Sequence, residues 1–251
     1  MNFLHDILLR EFPHVRLRFA ADSVWYWIVW RLLGGTRGTV TAGAKYIYFE
    51  SEEQYMYMEG ARLMEVLAHE YMHFCQRAHD PWFFMVRRCL RPMLVWLCVV
   101  LALVFWNLWF ALFALIFSRP AYRVFVARQE FDAYRMAVLV RVCLANDSRV
   151  LPASWYDLFM PTDASLQTIV DDLFSSTYGM QWTSKAMRGG YVHKLRQWRA
   201  ECLENYFQTR LAYEFKNKYI TPTVLFRNKT LEEPYAHVLT YFVTNRAAAH
   251  E

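Results

Sequence analysis

Hydrophobic and polar positions divide the chain into stretches of different period. Ser23 to Leu33 (SVWYWIVWRLL) is apolar and rich in tryptophan, and it stops at Gly34-Gly35, which predicts a short helix. Gly38 to Glu50 (GTVTAGAKYIYFE) alternates instead, with Ala44, Tyr46 and Tyr48 on one side and Lys45, Ile47 and Phe49 on the other; it predicts a β-strand. From Ala61 to Gln76, Leu63, Met64, Leu67, Met72 and Phe74 recur at helical spacing and predict a buried helix. A second apolar helix is expected from Ala127 through Arg135, Met136, Val138 and Leu139, and further helices over Ser165 to Phe174 and Lys185 to Tyr219. Leu151 to Pro161, with two prolines, reads as a loop, and Ser175 to Trp182 (SSTYGMQW) as an irregular segment. The expected fold is α+β and mostly helical, a single domain over residues 1–251.

One stretch stands apart. From Pro92 to Ser118 there is no charged residue, and Met93 to Phe117 has Asn107 as its one strongly polar member. Arg87, Arg88 and Arg91 precede this run, and Arg119, Arg123 and Arg128 follow it. Positive flanks favour the cytoplasmic side of a membrane, here at both ends. Residues 92–118 are therefore expected to be an inserted hydrophobic hairpin with Asn107 near its apex. Each arm would be roughly 18 Å long, a shallow or re-entrant insertion, with a single transmembrane crossing as the rival. On this reading the chain is an integral or monotopic membrane protein in contact with lipid.

Composition narrows the remaining classes. A net charge of +5 on 251 residues, without a dense Lys/Arg run among stacking aromatics, gives no sign of nucleic-acid binding. Five cysteines, odd in number and without C-x-x-C spacing, point to free thiols in a reducing compartment. The first residues, Met-Asn-Phe-Leu-His-Asp, lack the basic start and apolar core of a signal peptide.

Function is carried by Leu67 to Phe74, which contains H-E-x-x-H as His69, Glu70 and His73. Two histidines four residues apart project from one helix face and can hold a single Zn²⁺. Glu70 lies about 100° round the helix from His69, where it can take a proton from water beside the metal. Cys75 falls on another face and reads as core. A catalytic zinc needs a third protein ligand, and two residues are candidates. His79 has the spacing of H-E-x-x-H-x-x-G-x-x-H, but Gln76 stands where that motif turns on glycine. Glu130 sits in an otherwise apolar and aromatic helix in which small Ala133 permits close approach. It also requires both ends of the 92–118 run on one side of the bilayer, as the flanking arginines do.

With these motifs the chain resembles the gluzincin class of zinc metallopeptidases, most of all the membrane-embedded group of CAAX prenyl proteases and bacterial heat-shock membrane endopeptidases. That resemblance covers Gly38 to Leu139, about two-fifths of the chain. It implies His69, His73 and Glu130 as zinc ligands, Glu70 as general base and a zincin-like core. In that group an aspartate follows the alanine corresponding to Ala133; this chain has Tyr134 there, and Asp132 is the candidate to replace the aspartate's hydrogen bond to a ligand histidine.

The expected activity is a membrane-associated zinc endopeptidase with its site facing the cytoplasm, acting on extended peptide segments near the bilayer. The strand before the zinc helix would offer its edge to substrate. Tyr178, His193 and His237 are the candidate donors for the oxyanion. The alternative is a membrane-perturbing or structural membrane protein, for example a viral one, with a non-catalytic metal site.

Overall fold

The computed structural model describes residues 8–9, 12–32, 35, 37–43, 45–58, 60–79, 81, 97–98, 100–106, 108–146, 159–174, 185–214 and 232–244. In chain order these form β1 (Arg16–Phe19), a 3-10 turn (Ala20–Asp22), α1 (Val24–Leu32), β2 (Thr41–Ala42), β3 (Tyr46–Phe49), α2 (Glu52–Tyr57) and α3 (Gly60–His79). Four further helices follow: α4 (Leu108–Asn146), α5 (Asp163–Leu173), α6 (Lys185–Glu214) and α7 (Glu232–Thr244). The described residues are mostly helical and form one small sheet in the order β1-β3-β2, in which β1 runs parallel and β2 antiparallel to β3.

The alternating stretch Gly38 to Glu50 is two strands rather than one. The Gly43 N–H donates to the Tyr46 carbonyl at 2.7 Å, closing a turn that folds β2 back along β3. Ile47, Tyr48 and Phe49 are all buried, so β3 is covered on both faces and alternation is lost. Ile47 and Phe49 join the main core, while Tyr48 packs with Trp30 of α1 and Ala20 in a second, small cluster. Any side chain at Gly35 would collide with the Trp30 ring, which explains glycine just after α1. At the other end of the hairpin, Gly38 takes φ 77 and donates its N–H to the Glu50 carboxylate at 2.6 Å. Ser51 caps α2 by accepting the Gln54 N–H at 3.1 Å, and Gln54 Oε1 accepts the Glu50 N–H at 2.8 Å.

The main core lies between α3 and α4, with α5, α6 and α7 packed on the far side of α4. Three polar contacts set the register of α4. The Trp198 Nε1–H of α6 donates to the Arg135 carbonyl at 2.8 Å, and the Arg135 guanidinium lies 3.8 Å from the centre of the Trp198 ring. The Tyr235 hydroxyl of α7 donates to the Asp132 carbonyl at 2.9 Å. These hold the Glu130 segment from behind.

The membrane placement expected from residues 92–118 is corrected. Among the described residues no helix is long and apolar enough to cross a membrane. Residues 92–96, 99 and 107 lie outside the described part. Within the remainder, helical backbone reaches Phe105, breaks at Trp106 with φ 49, and resumes at Leu108. From Leu108 to Ser118 there are 11 residues, about 16 Å of helix, against a hydrocarbon thickness of about 30 Å. Beyond Ser118 the same helix runs on through Arg119, Arg123 and Arg128. The uncharged run is thus split, and its second part is the start of a longer helix that ends in the protein core. Among the described residues no spanning hairpin and no single crossing is formed, and an integral membrane protein is not supported.

Candidate metal centre and adjoining cleft

Among the described residues, every buried polar or charged side chain gathers at one place: Glu70, His73, Gln76 and Glu130. Burying such groups costs about 1–3 kcal/mol each unless each finds a partner. Here His73, Gln76 and Glu130 are partnered by one another, by His69 and by the Gln129 carbonyl. Leu67, Ala68, Tyr71, Met72, Phe74 and Cys75 are buried around them on α3, so helical spacing alone drives His69, Glu70 and His73 against α4. On α4, Ala133 is fully buried and small. The Gln76 amide nitrogen bridges to the Gln129 carbonyl at 3.0 Å and brings Glu130 alongside the histidines.

The three candidate ligand atoms form a compact triangle. His69 Nε2 lies 3.2 Å from Glu130 Oε2 and 3.2 Å from His73 Nε2, and His73 Nε2 lies 3.5 Å from Glu130 Oε2. A tetrahedral zinc with ligands at about 2.0–2.1 Å requires ligand atoms about 3.3–3.4 Å apart. The observed separations fit that edge, and the donor set of two imidazoles and one carboxylate suits a zinc with one position open to water.

Protonation agrees with this. His73 Nδ1 lies 3.0 Å from Gln76 Oε1, and since the Gln76 amide nitrogen is committed to Gln129, the oxygen accepts and His73 Nδ1 donates. A neutral His73 would then turn the Nε2 lone pair to a metal, whereas in its protonated form Nε2 donates to Glu130. Burial pushes the Glu130 carboxyl up, but the His73 charge and the hydrogen bonds from His69 and His73 outweigh it and hold the pKa well below the usual range. Glu130 is a carboxylate, as a ligand must be.

A cavity of about 340 Å³ opens beside the triangle, with His69, Glu70 and Tyr134 on its wall. Tyr134 stands one turn after Glu130, and its ring meets the His69 ring edge-on at 4.8 Å between centroids. Gly38, Thr39 and Val40 also line it, leading directly into β2, the edge strand of the sheet.

Of the residues singled out in the sequence, His69, His73 and Glu130 are brought together, and Glu70 faces the cavity next to them. His79 ends α3, is exposed and takes no part in the cluster. His193 is exposed on α6, and neither it nor His237 of α7 borders the cavity. Tyr178 lies outside the described residues. Asp132 does not reach a ligand histidine: its carboxylate pairs with Arg135 at 3.5 Å, and burial raises its pKa against the pull of Arg135 and Arg128. His73 instead donates its orienting hydrogen bond to Gln76, which stands in the sequence where the longer histidine motif turns on glycine. Its signal was the three-residue offset from His73, which puts both side chains on one face. Tyr134 stands where the related group has aspartate, and its four-residue offset from Glu130 places it on the ligand face. No known protein family, curated protein or solved structure matches the chain.

Proposed function

We propose that this protein is a zinc-dependent endopeptidase with the His–His–Glu ligand set of the gluzincins. The observation that carries the proposal is the triangle of His69 Nε2, His73 Nε2 and Glu130 Oε2, whose sides of 3.2, 3.2 and 3.5 Å match a tetrahedral zinc and which borders the cavity that Glu70 lines.

When bound, zinc supplies Lewis acidity toward a carbonyl oxygen and toward water. The chain's own groups do the rest. Glu70, buried at 4% exposure, takes a proton from water on its carboxylate and returns it to the departing amine nitrogen. Tyr134 offers a phenol O–H to the oxygen on which negative charge develops. Gln76 holds His73 in one tautomer throughout. An extended peptide adds to the outer edge of β2, so that its backbone is held by hydrogen bonds and its carbonyls pass the ligands.

The test joins metal analysis to hydrolysis of a quenched fluorescent peptide library. Wild type and Glu70→Gln should each hold about one zinc per chain, and only wild type should cleave. Chelation should stop cleavage and zinc restore it. Cleavage undiminished in Glu70→Gln, or no metal bound by wild type, overturns the proposal.

A further inference from the structure

The cleft does not end at Tyr134. It continues between α3 and α4 to a group of charges formed by Arg62, Glu65 and Arg141, with Asp172 at the exposed rim. Arg141 lies eleven residues after Glu130, three helical turns on, and so shares its face of α4. Its guanidinium is anchored on one side only. Nε lies 3.1 Å from Glu65 Oε1 and donates to the Phe159 carbonyl, also at 3.1 Å. No described residue engages its two terminal nitrogens, which carry four N–H groups. Glu65 is shared, because its second oxygen accepts from Arg62 at 2.9 Å. One carboxylate therefore faces two guanidiniums, and the part-buried Arg141 is left with an open, planar pair of donors. Asp172 is exposed and screened by water.

We infer that this end of the cleft is a carboxylate-binding subsite in which Arg141 receives an acidic side chain of the substrate peptide. The inference rests on the peptidase reading and names its substrate class. Planar guanidinium with both terminal nitrogens open matches carboxylate in the two-pronged mode that ammonium cannot provide. Position along the peptide follows from the helix. Three turns are about 16 Å, and Arg141 leans back toward Glu130 as helical side chains do. An extended peptide advances about 3.4 Å per residue, so the acidic residue sits three to four positions from the bond cleaved.

Binding can be read without catalysis, using zinc-loaded Glu70→Gln protein and octapeptides that differ only in Glu, Gln or Lys at that position. Calorimetry should show the Glu peptide binding at least about tenfold tighter than the Gln peptide. The preference should fall to within about twofold in Arg141→Gln, whose zinc content stays at one per chain. It should be partly kept in Arg141→Lys and should grow in Glu65→Gln, where the competing carboxylate is gone. That last gain is not expected of a purely structural arginine. Equal binding of Glu and Gln peptides, a preference that survives Arg141→Gln, tighter binding of the Lys peptide through Asp172, or no measurable binding of any peptide overturns the subsite. Failure of the parent reading looks different: the Glu preference would hold while wild type cleaved none of the peptides. Cleavage by wild type with no Glu preference would instead remove the subsite and keep the peptidase.

Discussion

Gln76 Oε1 accepts a hydrogen bond from His73 Nδ1 at 3.0 Å, one helical turn away on α3, while the same amide donates to the Gln129 carbonyl of α4 at 3.0 Å. One side chain thus selects the tautomer of a candidate ligand and ties the helix of two ligands to the helix of the third. Gln76→Ala is expected to weaken zinc binding about 10- to 100-fold, as loss of an orienting partner does. Competition against a fluorescent chelator measures it, and unchanged affinity would remove Gln76 from the site.

Glu130→Ala should abolish stoichiometric zinc, since it removes one corner of the triangle, whereas His79→Ala should leave the metal in place. The same pair separates in thermal unfolding. Added zinc should raise the Tm of wild type and His79→Ala in a concentration-dependent way and leave Glu130→Ala unmoved. A Tm rise in Glu130→Ala equal to wild type would assign the metal elsewhere.

Tyr134→Phe keeps the ring that packs on His69 and removes only the hydroxyl. If that hydroxyl steadies developing charge, kcat should fall about 10²- to 10³-fold with KM and zinc content nearly unchanged. A rise in KM at constant kcat would make Tyr134 a binding residue instead.

Alkaline stability should be set on the far side of α4. Burial pushes the Cys202 thiol well above 9.0 and the Tyr235 hydroxyl well above 10.0, the latter helped by the neighbouring Asp132 charge. Both groups keep their protons longer in the fold than in the unfolded chain. Their contribution is fully present below the unfolded values and is lost as pH rises from about 9 through the raised folded values. Urea midpoints should decline over that window, and Cys202→Ala should decline less steeply. A midpoint flat to pH 10.5 would contradict this.

Local order was largely legible along the chain. Period 3.6 from Ala61 to Gln76 marks α3, found at Gly60–His79, because a helix with one buried face repeats its apolar residues at that interval. Tryptophan density before Gly34 marks α1, found at Val24–Leu32. Other elements left weaker traces. β1 has only four residues, with Arg16 exposed and Arg18 half-buried against the Tyr26 and Tyr46 rings, and it exists because β3 is there to pair with it. Strand period misled at Gly38 to Glu50, where both faces of β3 are covered by packing that comes from distant segments.

The apolar run of residues 92–118 shows the limit most clearly. Hydropathy counts residues but not where a helix breaks or how far it continues, and the break at Trp106 with the extension of α4 to Asn146 is a property of backbone and packing.

For the site the division is physical. His69, Glu70 and His73 belong to one helix, so their common face follows from 3.6 residues per turn and from nothing else. Glu130 and Arg141 meet α3 across the core, through contacts 61 and 76 residues apart in the chain. Sequence alone therefore decided which groups could act on a metal and a water. Only tertiary structure decided that Glu130, not His79, joins them, that Gln76 orients His73, and which charges close the cleft, because those distances depend on how two helices cross.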